Sequence, residues 1–324
     1  MRLRVVRSVL VLALVVTAAV IVQRPDAPPR LVPVADARSA ADESVAFQIA
    51  QAYGHPVTID SATTETELVQ AQPDHSKVLT ENTEPVRVRR NGTWIPTDPS
   101  LQPVSGSLQP AAAAVPVRFS AGGTGPLARV RAPAGQWLSE SWPAGALAAP
   151  SVRGSTATYP GVFPGVDLVL TATAEGMAEV LVIADADAAA NPALAAVTFG
   201  IDGGGLTTVR QAGGSAVARA GTDPDGLTAA AATWWDSSSP GASAQGPGGL
   251  GVPRPVTETV SDSQVRIDAS VAAVIWLPTV AGHTQIAAVK LSASSLVSAP
   301  AALPRYWLPS KDITGSDGSG PAGR

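Results

Sequence analysis

The chain has 324 residues, of which 45% are hydrophobic and 15% are charged, and its formal net charge is −4. This length accommodates one large domain or two ordinary ones. Cysteine is absent, which excludes disulfides, thiolate metal ligands and a cysteine nucleophile. Basic residues are scattered apart from Arg87–Arg90. We therefore expect no nucleic-acid partner, because neutralising phosphates requires a concentrated basic face.

The N-terminus indicates export from the cytoplasm. Arg2, Arg4 and Arg7 precede an uncharged apolar run of 14 residues, Val9 to Val22. This arrangement is typical of a signal peptide, and the run is shorter than the ~20 residues that span a bilayer comfortably. We predict a signal peptide within residues 1–37 and an extracellular or cell-surface location. An uncleaved single-pass membrane anchor, with the domain outside, is the alternative.

One helix is predicted near the start of the mature chain, over Ala37–Tyr53. Val45, Ile49 and Ala52 share a helical face there, and Gly54 stands where a C-cap would. After this segment the apolar pattern changes to the alternation that is typical of strands.

Two hairpins are predicted next. Residues 56–82 alternate β-branched and polar side chains on either side of a turn at Pro73-Asp74. Val86 and Val88 then alternate with arginines before Asn91-Gly92, the pair that a type I′ turn prefers. Asn91-Gly92-Thr93 also matches the N-glycosylation pattern, but the turn explains these residues without a sugar.

Short apolar runs continue along the chain, separated by Gly, Pro or Asp. They cover residues 115–120, 127–132, 136–142, 166–173, 178–185, 195–202, 205–210, 215–220 and 227–235. Asp187–Ala196 is expected to hold a helical turn. Regular short strands with turn residues between them predict an all-β, mainly antiparallel, sandwich-like fold with one short N-terminal helix.

The composition also suggests a division of the chain. We predict a β-rich domain at 38–238, a Gly/Pro/Ser linker at 239–255 and a small second β-rich part at 256–309. Residues 310–324 lack an apolar pattern and are expected to be a disordered tail.

The stretch TATYPGVFPGVDLVLTA, residues 156–172, contains two Pro-Gly pairs. Proline presets φ and glycine permits a positive φ, so both pairs are predicted to be turns that lead into a strand. Tyr159, Val162 and Phe163 are expected to cover the edge of the core. Asp167 is expected to face outward or to bond back to the turn, and it is the carboxylate to test first.

Three patterns resemble known sites but lack the necessary context. His55, His75 and His283 are far apart in sequence, so structural or solvated roles are favoured over zinc binding. Gly246–Gly251 matches G-x-G-x-x-G without the flanking strand and helix that a dinucleotide site needs. Thr222–Thr228 has too few oxygen ligands for a calcium loop, which favours a β-turn.

Carboxylates and tryptophans are the remaining candidates for chemistry. A pair of carboxylates can hydrolyse a glycoside, and a group of acidic residues lies in one stretch: Asp167, Glu175, Glu179, Asp185 and Asp187. The pattern favours instead two strands joined at Glu175-Gly176, with acidic side chains facing solvent. Trp234-Trp235 could contact a sugar, but neighbouring strand residues point to opposite faces, so one should be buried and one exposed.

Several segments together resemble a known group of proteins. They are ENTEPVRVRRNGTWIPTDPSLQP, FSAGGTGPLARV, YPGVFPGVDLVLTATAEGMAEVLVI, AANPALAAV and WWDSSSP. Over about Ala37 to Ser238 the chain resembles the N-terminal β-rich region of large secreted actinobacterial proteins with LamG-like or RHS-repeat modules. The resemblance implies a secreted β-rich module not known to be catalytic, and it supplies no site residues. The chain has no LamG-like segment and no YD repeats of its own.

The sequence therefore predicts a non-catalytic secreted or cell-surface scaffold or interaction module. No catalytic, cofactor-binding or metal-binding residue is assigned, and no cofactor is expected. The expected partner is a protein or a cell-wall glycan. A secreted hydrolase of the glycosidase or protease class, with a site built on loops, is the alternative function.

Overall fold

The computed structural model describes residues 35–210, 216–222, 226–235, 243, 253–268 and 291–296. The helical segments are α1 (Glu43–Tyr53), α2 (Ala186–Ala189) and a 3-10 helix at Pro192–Ala196. No helix in the described part of the chain is long and apolar enough to cross a membrane.

The strands are short and follow one another closely. They are β1 (Ser39–Ala40), β2 (Val57–Ile59), β3 (Glu67–Ala71), β4 (Lys77–Glu81), β5 (Arg87–Arg90), β6 (Thr93–Pro96), β7 (Asp98–Val104), β8 (Ser107–Ala112), β9 (Val117–Ser120), β10 (Ala128–Arg131), β11 (Trp137–Ser141), β12 (Ser151–Arg153), β13 (Thr156–Phe163), β14 (Val166–Ala172), β15 (Gly176–Ile183), β16 (Val197–Asp202), β17 (Thr207–Arg210), β18 (Ala216–Arg219), β19 (Gly226–Ala229), β20 (Thr233–Trp234), β21 (Arg254–Pro255), β22 (Glu258–Val260), β23 (Gln264–Ile267) and β24 (Leu291–Leu296).

A small N-terminal unit consists of α1 and a four-stranded sheet in the order β1-β2-β3-β4. The buried face of α1, formed by Ala46, Ile49 and Ala50, packs with Val57 and Ile59 in a core of its own. The sequence pattern predicts one domain for these residues and the strands that follow. The core of α1 and its sheet is separate from the core of the strands that follow, so this unit is a distinct part of the structure.

The predicted helix is confirmed, with a later start. It begins at Glu43, because Ser39 and Ala40 pair in parallel with β2 instead of joining the helix. It ends as expected at Gly54, whose φ of 71° is left-handed and whose N–H bonds to the Ala50 carbonyl at 2.8 Å.

Two eight-stranded sheets form the body of the protein. The front sheet has the order β22-β23-β16-β11-β10-β9-β8-β7, and the back sheet has the order β12-β13-β14-β15-β24-β19-β18-β17. A shared core lies between them. Its largest fully buried side chains come from both sheets and include Phe119, Phe199, Tyr159, Leu168 and Leu181. The predicted all-β sandwich-like class is confirmed.

The predicted division into a 38–238 domain and a separate second part does not hold for the described strands. β23 pairs with β16, and β22 pairs with β23, so both extend the front sheet. β24 pairs with β15 on one side and β19 on the other, inside the back sheet. The reason is burial, since Val265 and Ile267 of β23 complete the shared core. Residues 1–34, most of the predicted linker and the predicted tail lie outside the described residues.

Both predicted hairpins are confirmed. β3 and β4 pair antiparallel around the turn that contains Pro73 and Asp74. β5 and β6 pair across Asn91 and Gly92, whose φ values of 50° and 82° are both positive, as a type I′ turn requires. The predicted helical turn within 187–196 is confirmed by α2 and the 3-10 helix.

The two Pro-Gly pairs of residues 156–172 have different roles. Pro164-Gly165 is the turn between β13 and β14, as predicted, whereas Pro160-Gly161 lies within β13 at an irregularity in the pairing. Asp167 bonds back as predicted, because its Oδ1 accepts the Gly161 N–H at 2.8 Å. Tyr159 is not edge cover: its side chain is fully buried.

Replacing Gly165 with alanine is expected to destabilise the fold more than the same change at Gly161. Both glycines have positive φ, 69° and 60°, so each alanine carries a backbone cost of about 1–2 kcal/mol. A Cβ at Gly165 would also lie 2.6 Å from the Cβ of Ala188, whereas one at Gly161 meets nothing within 4 Å. The contact should add roughly 1–3 kcal/mol. Urea denaturation measures the free energy of unfolding of both variants. Equal losses would show that α2 can move away from the new methyl group without a cost in stability.

Candidate functional site

The described histidines have local partners. Nε2 of His55 lies 2.7 Å from Asp36 and its Nδ1 lies 3.0 Å from the Pro56 carbonyl oxygen. The hydrogen bond with Pro56 has the larger effect on the pKa of His55, followed by the one with Asp36, and both raise it. His75 bonds to the amide of Gln51 at 2.8 Å. No group of three or more His, Asp or Glu residues within the described ranges could hold a metal ion.

Three sequence candidates lie outside the described residues. They are His283, the glycine motif at 246–251 and the acidic pair Asp223 and Asp225 of the calcium-loop candidate. The strands that flank the acidic pair, β18 and β19, are antiparallel neighbours.

The tryptophan pair differs from the prediction that one ring is buried and the other exposed. Trp234 and Trp235 do point to opposite faces, but both are buried, with 5% and 3% of their surfaces exposed. Trp234 belongs to the core between the sheets, whereas Trp235 packs on Val169 and Val180 on the other face of the back sheet. The indole N–H of Trp235 donates to the Ser243 carbonyl at 2.9 Å. Contacts with Val169, Val180 and Ser243 thus bury the side chain expected to be exposed.

The acidic stretch departs from the prediction at two residues, Glu175 and Glu179. Asp185 and Asp187 are exposed, and Asp185 caps α2 by accepting the Ala188 N–H at 2.8 Å. Glu175 is half-buried in the turn before β15. Its pKa is raised mainly by burial and secondly by the negative charge of Glu84. Glu179 is expected from the sequence to face solvent. This expectation is wrong, since only 2% of its surface is exposed.

Glu179 and Glu140 form a buried carboxyl pair between the two sheets. Glu179 lies on β15 in phase with the core residue Leu181, and Glu140 lies on β11 in phase with Leu138 and Trp142. Strand alternation therefore turns both side chains inward, toward each other. For Glu140, this phase is the sequence signal that could have located the residue.

The pair must hold a proton near neutral pH. Burial raises the pKa of Glu140 to about 7, although a hydrogen bond with Glu179 acts in the opposite direction. Burial, the negative charge of Glu140 and their hydrogen bond together raise the pKa of Glu179 well above its usual range. Neither oxygen of Glu179 accepts a hydrogen bond from a donor among the described residues. Burial without a donor favours the neutral acid, so the proton of the pair resides on Glu179.

A third buried carboxyl, Glu258, lies on β22. Its Oε2 accepts the Ala232 N–H at 2.9 Å. Glu140 and Glu258 line one cavity of about 80 Å³ between the sheets, whose other walls are mostly apolar, such as Val130 and Ile201. That volume holds several water molecules, but it is far below the ~300 Å³ of a small ligand pocket. The cavity is therefore too small for a sugar ring.

A larger concavity, here called the polar groove, lies beside the N-terminal unit and the β5–β6 hairpin. Its volume is about 450 Å³, and the side chains that give it its chemistry are Arg38, Asp60, Arg87 and Trp94. Arg87 is held in place, because its Nη1 donates to the Thr64 carbonyl at 3.1 Å. The groove thus combines two cations, one carboxylate and one indole.

Trp94 is the unusual member of the groove. The guanidinium of Arg89 lies 5.7 Å from its ring centroid, which is a cation–π distance. Its indole N–H is buried and reaches no acceptor among the described residues. From the sequence, Trp94 is expected only to open the return strand of the hairpin. The strand alternation gives no indication that the N-terminal unit provides the opposite wall.

No protein-family model, no curated protein and no solved structure matches this chain. The resemblance to LamG-like and RHS-repeat proteins therefore stays a prediction. The residues themselves are the basis for a functional proposal.

Proposed function

We propose that this protein is a non-catalytic interaction module of the secreted or cell-surface type, and that it binds a glycan in the polar groove. The observation that carries the proposal is the groove itself, about 450 Å³ in volume and lined by Trp94, Arg38, Arg87 and Asp60. This volume is within the range of small-ligand sites, which combine apolar walls with a few placed polar groups.

The chemistry of the groove suits a saccharide. Sugar hydroxyls both donate and accept hydrogen bonds, so they can pair with the carboxylate of Asp60 and with the guanidinium groups of Arg38 and Arg87. The indole of Trp94 adds an apolar wall on which a sugar ring can pack. The basic and apolar N-terminal segment supports an extracytoplasmic location, where such glycans occur.

The first test is an oligosaccharide array, followed by calorimetry with each saccharide that binds. Asp60→Asn, which weakens a hydrogen bond to a sugar hydroxyl, and Trp94→Phe, which shortens the apolar wall, are each expected to weaken binding by about 2- to 10-fold. Asp187→Asn is the matched control, since it removes an exposed carboxylate from α2, and it should leave the affinity unchanged. Unchanged affinity in both groove variants would reject this groove as the site.

The hydrolase alternative has one observation in its favour, the facing carboxyl groups of Glu140 and Glu179. Their burial beside a cavity of about 80 Å³ leaves no room for a substrate in this conformation. Incubating each bound saccharide with the protein distinguishes the two functions. Cleavage that is lost in Glu140→Gln would overturn the non-catalytic proposal, whereas binding without cleavage supports it.

The anchored alternative concerns the N-terminus alone. Residues 1–34 lie outside the described residues, so mass spectrometry of the protein isolated from its producing cells decides between the two. A mature start near Val20 or Arg38 supports secretion, and an intact Met1 supports an anchor.

A further inference from the structure

The outer surface of the front sheet carries a cluster of four residues, here called the arginine–tryptophan face. It consists of Arg118 on β9, Arg129 and Arg131 on β10, and Trp137 on β11. Arg118 stands directly opposite Arg129, and Arg131 stands directly opposite Trp137. Directly opposed residues share a face, so the strand register brings three cations and one indole together.

The indole organises this face. The guanidinium carbons of Arg118 and Arg129 lie 4.6 and 5.4 Å from the ring centroid of Trp137, both within cation–π range. Nε of Arg129 also donates to the Ser139 hydroxyl at 3.1 Å, and Nε of Arg131 donates to the Gly135 carbonyl at 3.2 Å. These contacts fix the side chains through their Nε atoms and rings, and they leave the terminal N–H groups for a partner.

The positive charges of the face have no carboxylate partner among the described residues. The ion pairs in the described part of the chain are His55–Asp36 and Lys77–Glu43, and neither involves the arginine–tryptophan face. Asp202, which lies opposite Ser139 on the next strand, accepts the N–H of its own turn at Gly204 instead.

Like charges that stand directly opposite on paired strands destabilise a sheet. A bound anion would therefore reduce the repulsion between Arg118 and Arg129. No carboxylate in the part of the chain that the structure describes supplies that anion, although the whole chain has a net charge of −4.

We propose that the arginine–tryptophan face binds a carboxylate-bearing polysaccharide, a polymer of the polyuronate type. A guanidinium group presents a planar fork of donors that matches a carboxylate. Regularly repeated carboxylates can engage the three arginines in succession, and the accessible edge of Trp137 can contact the sugar rings. The face lies on the front sheet, so this proposal goes beyond the glycan groove and does not depend on it.

Nucleic acid fits the same face less well. Its affinity for proteins grows with the number of phosphates neutralised, and only three arginines are gathered here on a chain of negative net charge. Aromatic side chains that bind single strands offer an open ring to the bases, whereas the ring of Trp137 already packs against two guanidinium groups.

The test uses polygalacturonate and its fully methyl-esterified form, which has the same backbone without the negative charges. The protein should bind the acidic polymer and not the ester. Arg118→Gln and Arg129→Gln should each weaken binding by about two- to fivefold, the range expected of one exposed ion pair, and the double variant by about tenfold. Arg153→Gln, on exposed β12 of the back sheet, is the matched control and should bind normally.

Three further results complete the test. The dependence of the affinity on salt should become shallower in the double variant, because fewer counterions are released. Thermal unfolding of Arg118→Gln should occur at the same or a higher temperature, since an opposed pair of like charges is removed. Trp94→Phe should leave polygalacturonate binding intact, which separates this face from the groove.

Equal binding of the methyl ester would overturn the proposal, and so would an unchanged affinity in the double variant. Tighter binding of single-stranded DNA than of polygalacturonate would assign the face to nucleic acid instead. A lower unfolding temperature of Arg118→Gln with no change in affinity would show that the arginine only supports Trp137.

Discussion

Replacing Glu179 with glutamine is expected to make the fold more stable above neutral pH and to reduce the loss of stability as the pH rises. In the native protein both Glu140 and Glu179 have raised pKa values, so the folded state retains protons that the unfolded state has released. Their contribution to stability is therefore complete below the unfolded pKa, near 4.5, and is lost as the pH rises through the folded pKa.

The share of this loss that belongs to Glu140 follows from its pKa, and that share remains in Glu179→Gln. A rise from 4.5 to about 7 corresponds to roughly 3 kcal/mol of stability lost above neutral pH. Glutamine at position 179 has nearly the same shape as the protonated acid, but it has no proton to lose on unfolding.

Chemical denaturation at several values between about pH 5 and pH 8 measures this dependence. Glu81→Gln, which neutralises an exposed carboxylate on β4, is the control and should keep the slope of the unaltered protein. A stability that does not change over this range in the unaltered protein would contradict the buried pair. An unchanged slope in Glu179→Gln would show that the ionisation of Glu179 does not contribute.

Replacing Tyr159 with alanine is expected to destabilise the fold by about 3–5 kcal/mol, because it removes a large side chain from the core. The side chain is fully buried on β13 of the back sheet. Its hydroxyl donates to the Ser120 carbonyl of the front sheet at 2.7 Å, so one residue both fills the core and joins the two sheets. Burial and the nearby Glu179 raise the pKa of Tyr159, which keeps the hydroxyl protonated as a donor.

Tyr159→Phe separates packing from hydrogen bonding. It retains the ring and leaves the Ser120 carbonyl unpaired, so we expect a loss of about 1–3 kcal/mol. Tyr53→Ala is the control at an exposed tyrosine, 45% accessible at the end of α1, and it should change stability by less than about 0.5 kcal/mol. Denaturant titration of the three variants measures these losses. Equal losses in Tyr159→Phe and Tyr159→Ala would place the whole contribution in the hydrogen bond.

Local patterns predicted most of the strands but missed several, among them the proline-rich strands β7 and β8. β7 and β8 were not predicted, because Pro99, Pro103 and Pro110 interrupt the apolar alternation. The structure tolerates them because β7 is the edge of the front sheet, and an edge strand can lack ladder donors. β8 pairs with β9 only at Ser107 and Leu108, so Pro110 faces no partner on that side.

The sites were harder to predict than the strands, because they depend on which strands become neighbours. β15 has apolar residues in both phases, since Trp235 covers Val180 on the outer side, and alternation alone could not show that Glu179 points inward. The arginines of β9 and β10 were visible as alternating residues. Their meeting depends on the register that sets Arg118 opposite Arg129, which no local pattern specifies.

The position of β24 affects how the protein can be made. This strand comes last among the described strands, yet it lies between β15 and β19. Until residues 291–296 have been synthesised, the back sheet exists as two fragments, each with an unpaired edge that can recruit another chain. Contacts between distant segments form slowly, so the back sheet stays incomplete until β24 has been made. For the secreted module proposed above this delay is an advantage, because an unfolded chain can still pass through a translocation pore.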